Sequence, residues 1–166
     1  MNADTAYRRA YIRLGRLTPI PADCGHLCGK RCCKGEKDDG MILFPGENGF
    51  PPSFSVTDRE INGYPVRFAV CPGRCRREKR PLSCRIYPFA LYLDEAGMLS
   101  VIPDPRAKYI CPLLSESALP LLDKRFQKAV LDAFTVLLEI GGMRPMLTAY
   151  SRMLDGYRRF VGRPAP

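Results

Sequence analysis

Eight cysteines in two groups restrict the fold of this chain of 166 residues more than any other feature. The first group lies within ten residues and the second is more widely spaced: Cys24, Cys28, Cys32 and Cys33, then Cys71, Cys75, Cys84 and Cys111. Eight cysteines in 166 residues are about 5% of the chain, above ordinary usage but below the ~8–10% typical of a disulfide scaffold. The surrounding residues 22–112 are rich in Gly and Pro, so we expect loops and short strands there.

The cellular compartment decides what these thiols can do. Residues 1–9 contain charges but no apolar stretch of ~7–15 residues behind them, so no secretory signal is visible. The longest apolar-rich segment, residues 129–143, contains Asp132 and Glu139 and is shorter than the ~18 residues that span a bilayer. We therefore expect a soluble, cytoplasmic protein with no membrane partner. In a reducing compartment, clustered cysteines more often bind metal or do redox chemistry than form structural disulfides.

All eight cysteines are therefore candidate metal ligands. A tetrahedral site needs soft donors that converge at ~2.3 Å on one ion, and glycines beside the thiols let the backbone fold around it. Two groups of four thiols predict one or two such sites. Zn²⁺ is the expected cofactor and an iron–sulfur cluster is the alternative, since thiolates suit both. Redox-active thiols and inert packing thiols are the less favoured interpretations.

The assignment of ligands to sites stays open at two places. Cys32 and Cys33 are adjacent, and neighbours on an extended chain point to opposite sides, so the pair either serves two metals or includes one packing thiol. The hypothesis is a division into two sites: Cys24, Cys28 and one of this pair, then Cys71, Cys75, Cys84 and Cys111. His26 lies between two cysteines and is an alternative ligand, although a bystander role is favoured because eight thiols are present.

Patterning along the chain predicts an α+β fold with one domain, residues 1–166. A Cys-rich metal-binding region at 18–113, with an irregular core, short strands and a hairpin, precedes a helical region at 114–162. Apolar residues at helical spacing predict an N-terminal helix within 4–17. The predicted strands are 41–44, 64–70, 89–93 and 98–102. The last two flank a turn at 94–97 and form the predicted hairpin.

Two helices are expected after the Cys-rich region. Ser117 is the predicted N-cap of the first, with Pro120 in its first turn and an apolar stripe that ends at the glycines 141–142. The second is expected to start near Pro145. Its predicted apolar face comprises Leu147, Tyr150, Leu154 and Tyr157. We expect the helices to be antiparallel and to bury these faces on the Cys-rich region. Residues 57–60 match a capping box, but an Asn-Gly pair follows at once, so only a short turn is expected there.

The basic residues allow two interpretations. Lys and Arg exceed Asp and Glu by 26 − 17 = 9. Many of the cations lie beside cysteines: Lys30, Arg31, Lys34, Arg74, Arg76, Arg77, Lys79, Arg80 and Arg85. One interpretation is a phosphate-binding surface for a nucleic-acid partner. The favoured one is that these cations lower thiol pKa values and balance the negative charge of a Cys₄ site. Arg80 and Arg85 also suit a structural hydrogen-bonding role.

The cysteines and one longer motif resemble a known family. The opening run Cys24…Cys28…Cys32-Cys33 is followed by the decapeptide RPLSCRIYPF at residues 80–89. Together they resemble the CxxCxxCC, or YkgJ-like, family of zinc- or iron-chelating proteins, in which a Cys-rich opening precedes an RPxxCRxYPF-type signature. The resemblance covers residues 23–113, about half the chain. It implies a metal site, and a related Cys region occurs in flagellin lysine methylases.

No other motif assigns chemistry. The chain has no phosphate-binding loop and no convincing dinucleotide fingerprint, and with one histidine a His-based catalytic zinc site has no support. We expect a metal-binding protein with Cys-ligated Zn or Fe in a mainly structural role, because a closed Cys₄ site leaves no position for substrate. The alternatives are an iron–sulfur protein in electron transfer, methyl transfer or radical chemistry, and a zinc-dependent nucleic-acid-binding module. Enzymatic activity and protein partners stay open.

Overall fold

The described residues contain five α-helices and two small antiparallel sheets, joined by 3₁₀ turns and loops. The computed structural model describes residues 2–36, 39–48, 54–73 and 75–161. The helices are α1 (Ala3–Leu14), α2 (Gly25–Cys28), α3 (Leu82–Ile86), α4 (Lys124–Leu137) and α5 (Met143–Val161). The strands are β1 (Gly40–Leu43), β2 (Val56–Ile61), β3 (Tyr64–Val70), β4 (Phe89–Leu93) and β5 (Leu99–Pro103). The protein is therefore α+β, as the sequence predicts.

The first sheet has the strand order β1-β3-β2, and both pairings are antiparallel. β1 and β3 confirm the strands predicted at 41–44 and 64–70. The short turn predicted at residues 57–60 is wrong, because these residues lie within β2. Ile61 pairs with Tyr64 across a two-residue loop in which Asn62 and Gly63 both have positive φ. Asn-Gly is the preferred loop of a tight hairpin, so it ends a strand here and the capping-box match carries no helix.

The second sheet is the hairpin β4–β5, which confirms the predicted pairing. Leu93 pairs with Leu99, and the turn between them is closed by the Met98 backbone N–H, which donates to Asp94 Oδ1 over 2.7 Å. Leu91 is fully buried on β4. Two 3₁₀ turns follow β5, and Cys111 lies between them.

The helical boundaries differ from the predicted ones. α1 ends at Leu14. α4 begins at Lys124 with Asp123 as its N-cap, so the prediction of Ser117 is wrong. Pro120 lies in a separate 3₁₀ turn. A helix that started at Ser117 would therefore not continue into α4. α5 starts two residues before Pro145, at Met143.

The main core is built from apolar faces of α1, α4, α5 and β4. α4 packs against α1 and β5, and α5 packs against β4 and β3, so the two helices cover strands of the Cys-rich region and lie away from its thiols. Leu147, Tyr150 and Leu154 are buried as predicted, but Tyr157 is 44% exposed. In the part of the chain that the structure describes, no helix has the length and apolarity needed to cross a bilayer.

Candidate metal centre

All eight cysteines line a single cavity. Its volume is about 80 Å³, far below the roughly 300–1,000 Å³ of sites for organic ligands. Apolar side chains such as Met41, Phe54 and Leu113 share the lining, together with Arg77 and Arg80. All eight thiols are free, without a disulfide among them. The cavity is therefore small, and thiols make up a large part of its lining.

The thiols share this cavity without forming a closed coordination shell. Within residues 2–36, 39–48, 54–73 and 75–161, no three His, Cys, Asp or Glu side chains are grouped so that they could hold a metal ion. The adjacent thiols of Cys32 and Cys33 are 3.9 Å apart. Binding at ~2.3 Å from each sulfur would therefore require the loops that carry the thiols to move together.

One set of thiols lies around Cys24 and Cys28. The pKa of Cys111 is raised by burial and then by these two thiols. The pKa of Cys32 is raised by its hydrogen bond with Cys33, by burial, and by the same two thiols. Cys32 and Cys111 both lie near Tyr87, which lines the same cavity. We call Cys24, Cys28, Cys32 and Cys111 the first thiol set.

The second thiol set consists of Cys33, Cys71, Cys75 and Cys84. Burial is the largest cause of the raised pKa of Cys84, and the other three thiols add to it. Burial likewise raises the pKa of Cys71, with contributions from Cys33 and Cys75. The eight thiols thus form two sets of four that meet where Cys32 contacts Cys33.

These two sets differ from the division expected from the sequence at two positions, Cys111 and Cys33. Cys111 lies with Cys24 and Cys28, although it follows Cys84 in the chain. The reason is the β4–β5 hairpin, which carries the chain away after Cys84 and returns it elsewhere on the cavity wall. Cys33 lies near Cys71, Cys75 and Cys84.

Local backbone conformation explains how two adjacent cysteines face different sets. Cys24 and Cys28 are one helical turn apart at α2, and the Cys28 Sγ lies 3.9 Å from the Cys24 carbonyl oxygen. Gly29 and Lys30 then both take the left-handed conformation, which reverses the chain into the 3₁₀ turn Arg31–Cys33. Cys32 and Cys33 both lie within this turn, so the chain is not extended at this point.

Two glycines allow the loops of the two cysteine groups to cross. Gly35 has φ +71° and Gly73 has φ +75°. A Cβ placed on Gly35 would lie 2.4 Å from the Gly73 Cα and 2.5 Å from its nitrogen. No side chain fits in such a gap, so the close approach of these loops depends on glycine. Arg74, next to this crossing, lies outside the described residues.

Arg85 in the RPLSCRIYPF segment has a structural role. It is buried, and each of its three guanidinium nitrogens donates to a carbonyl oxygen. Nε donates to Arg80, Nη1 to Tyr11 and Nη2 to Glu78. Ser83 beside Cys84 is also buried and donates to the Ile42 carbonyl over 2.6 Å. These contacts fix α3, and with it Cys84, against α1 and β1.

Glu47 joins separate segments of the chain, a structural role that no sequence pattern indicates. It is 1% exposed, and its carboxylate accepts hydrogen bonds from the backbone N–H groups of Phe44 and Leu82 and from the Tyr11 hydroxyl. Burial raises its pKa against these three contacts. Glu47 follows a Pro-Gly turn, which in the sequence predicts only an exposed loop.

Arg80 is the cation most closely tied to the thiols. Burial disfavours its charge, but a hydrogen bond with the Cys75 thiol and the proximity of Cys33 raise its pKa on balance. In turn, a hydrogen bond from Cys32 lowers the pKa of Cys33 to about 6 against the effect of burial, and Arg80 and Lys30 favour the thiolate further. Charge compensation of a thiolate is therefore seen at Cys33. At Cys24, Cys71, Cys84 and Cys111 burial raises the pKa instead, so the expected lowering of thiol pKa values by the cations does not hold there.

His26 stands apart from the thiols. Its side chain is 80% exposed, its Nε2 lies 3.6 Å from Asp23 Oδ2, and it does not line the cavity. This placement favours the bystander role over that of a ligand.

Comparison of the chain with protein-family models, with curated proteins and with solved structures gave no match. The eight thiols and the geometry of their cavity are therefore the basis of the proposed function.

Proposed function

We propose that the protein binds metal through the eight cysteines, with Zn²⁺ as the first candidate, and that the metal has a mainly structural role. The observation that carries this proposal is the gathering of all eight free thiols around one cavity of about 80 Å³. An all-thiolate donor set is typical of structural zinc sites and of iron–sulfur clusters. The resemblance to the YkgJ-like family points to the same chemistry.

A structural role follows from what surrounds the thiols. The cavity wall is formed largely by short helices and loops, which lie at the edge of the main core. Metal binding to such segments contributes directly to folding, because the site does not exist in the unfolded chain. Four thiolates on one ion also leave no open position for a substrate.

The two thiol sets suggest the partition of ligands. Cys24, Cys28, Cys32 and Cys111 would hold one ion, and Cys33, Cys71, Cys75 and Cys84 the other. The two sets meet at Cys32 and Cys33, whose sulfur atoms are 3.9 Å apart, so the two ions would be bound side by side.

The deciding experiment is anaerobic purification followed by elemental analysis and a visible spectrum. We expect colourless protein that contains one to two zinc ions per chain. Iron together with a visible absorption band would support the iron–sulfur alternative instead. Protein that binds neither metal after anaerobic reconstitution would overturn the proposal.

Single substitutions then test the partition. Cys84→Ser and Cys111→Ser are each expected to lose one metal and keep the other, and the double variant is expected to lose both. If either single variant loses all of the metal, the eight thiols form one polynuclear centre. His26→Ala is the matched control, since its exposed imidazole is expected to leave the metal content unchanged.

A further inference from the structure

A second, larger cleft adjoins the thiol cavity. Its volume is about 770 Å³, within the roughly 300–1,000 Å³ range of small-molecule sites. The lining residues are Gly29, Lys30, Cys33, Lys34, Gly73, Cys75, Arg76 and Arg80. We call it the cationic cleft. It shares Cys33, Cys75 and Arg80 with the thiol cavity, so the two spaces meet at one wall.

The charge of this cleft is one-sided. Four of its eight lining residues are Lys or Arg, and none is Asp or Glu. Lys30, Lys34 and Arg76 are exposed. Arg76 Nε contacts Glu78 Oε1 over 2.5 Å at the surface. The attraction within such an exposed ion pair is weak. The converging cations repel one another when no anion is present.

Arg80 adds an unused donor at the inner wall. Its Nε is buried and, within the described chain, has no hydrogen-bond partner. Burying a guanidinium donor without a partner is costly. Because this Nε is enclosed, Arg80 contributes its positive charge to the wall that the cleft shares with the thiol cavity.

The shape and lining of the cleft restrict the ligand further. Gly29 and Gly73 leave part of the wall without side chains, and a Cβ at Gly29 would meet nothing within 4 Å. Among the described residues, no aromatic side chain lines the cleft, so none of them provides the stacking surface on which bases of a single strand are held. Planar guanidinium groups and lysine ammonium groups bind phosphate oxygens well.

We propose that the cationic cleft binds a small anion that carries more than one phosphate group. Lys34 and Arg76 add positive charge to that of Lys30 and Arg80, which also face the Cys33 thiolate, and the cleft has the volume for such a ligand. The proposal does not depend on metal in the thiol cavity, although Arg80 borders both.

The test is calorimetric titration of the purified protein with inorganic triphosphate at low ionic strength. We expect binding that weakens as salt is added, and at least about tenfold weaker binding by Lys34→Gln/Arg76→Gln, which removes two of the four cations. Arg8→Gln/Arg9→Gln is the control, because it removes the same charge from exposed positions on α1. The control is expected to bind within twofold of the wild type.

Three results would overturn the proposal. The first is the absence of triphosphate binding at low salt, and the second is an equal loss in both double variants. The third is tighter binding of a single-stranded oligonucleotide than of triphosphate, which would assign the cleft to nucleic acid. Metal content measured on the same samples separates this proposal from the previous one, because it shows whether a loss of triphosphate binding accompanies a loss of metal.

Discussion

Glu47 is a single buried carboxylate that holds three segments of the chain together. One oxygen accepts from the Leu82 N–H over 2.8 Å and from the Tyr11 hydroxyl, and the other accepts from the Phe44 N–H over 2.9 Å. These contacts connect α1, the turn after β1 and the start of α3. Because α3 carries Cys84, Glu47 also positions one wall of the thiol cavity.

Glu47→Gln is expected to lower the free energy of unfolding by about 1–3 kcal/mol, since an amide has one acceptor oxygen and its NH₂ group would face a backbone N–H or the Tyr11 hydroxyl. Chemical denaturation measures the change. Glu95→Gln is the control, because Glu95 is exposed in the β4–β5 turn and should change stability by less than about 0.5 kcal/mol. Equal stability of the two variants would contradict the assigned role.

The crossing of the two cysteine loops is a feature of elements rather than of single side chains. Gly35→Ala is expected to lower both the unfolding temperature and the metal content, because its Cβ would lie 2.4 Å from the Gly73 backbone. Gly63→Ala is the matched control. Gly63 also has a positive φ, of 80°, but nothing lies within 4 Å of its Cβ position, so only the cost of the left-handed conformation remains, about 1–2 kcal/mol.

If Gly35→Ala and Gly63→Ala lose the same stability and the same metal, the loops do not depend on this close approach. Thermal unfolding with elemental analysis of both variants distinguishes the two cases.

The start of α4 provides a second test at the level of elements. The Asp123 side chain accepts from the Arg125 backbone N–H over 2.8 Å. Asp123→Ala is therefore expected to cost about 0.5–2 kcal/mol of stability, whereas Asp123→Asn keeps the cap and costs less. Ser117→Ala should have no measurable effect, because Ser117 caps no helix. A larger loss in Ser117→Ala than in Asp123→Ala would return the helix start to the position expected from the sequence.

Elements with strong local signals were predictable from the sequence. The β4–β5 hairpin was found from its alternation and turn, and β3 was found residue for residue. β2 was missed because five of its six residues are exposed, so it lacks the alternation that marks a half-buried strand. The start of α4 was missed because Ser117 and Asp123 are both good N-caps, and only tertiary packing decides between them.

The site was predictable in composition but not in arrangement. Chemistry singled out all eight cysteines, and the structure brings all of them to one cavity. The grouping of Cys111 with Cys24 and Cys28 depends on where the chain returns after a hairpin, which residue spacing does not encode. Glu47 carries no local signal, because its role arises from contacts 35 and 36 residues away in sequence.

At the scale of the whole molecule, the protein divides into a packed part and a part that we propose depends on metal. The main core surrounds α4 and α5, where Phe126, Phe134 and Leu147 are fully buried. The thiols lie at its edge, with Cys24 and Cys111 packed against the main core and Cys75 against a small separate cluster. Burial of apolar surface stabilises the packed part, whereas the short loops that carry the thiols bury little apolar surface.

Removal of metal under reducing conditions is therefore expected to act unevenly. Hydrogen exchange measured by mass spectrometry, before and after chelation, should show faster exchange in residues 24–36 and 71–75. The amides of α4 and α5 should keep most of their protection, because their packing does not involve the thiols. Uniform loss of protection would mean that the core and the thiol loops unfold as one unit. Unchanged exchange in the loops, with metal shown to be removed, would mean that the metal does not hold them and that its role is not structural.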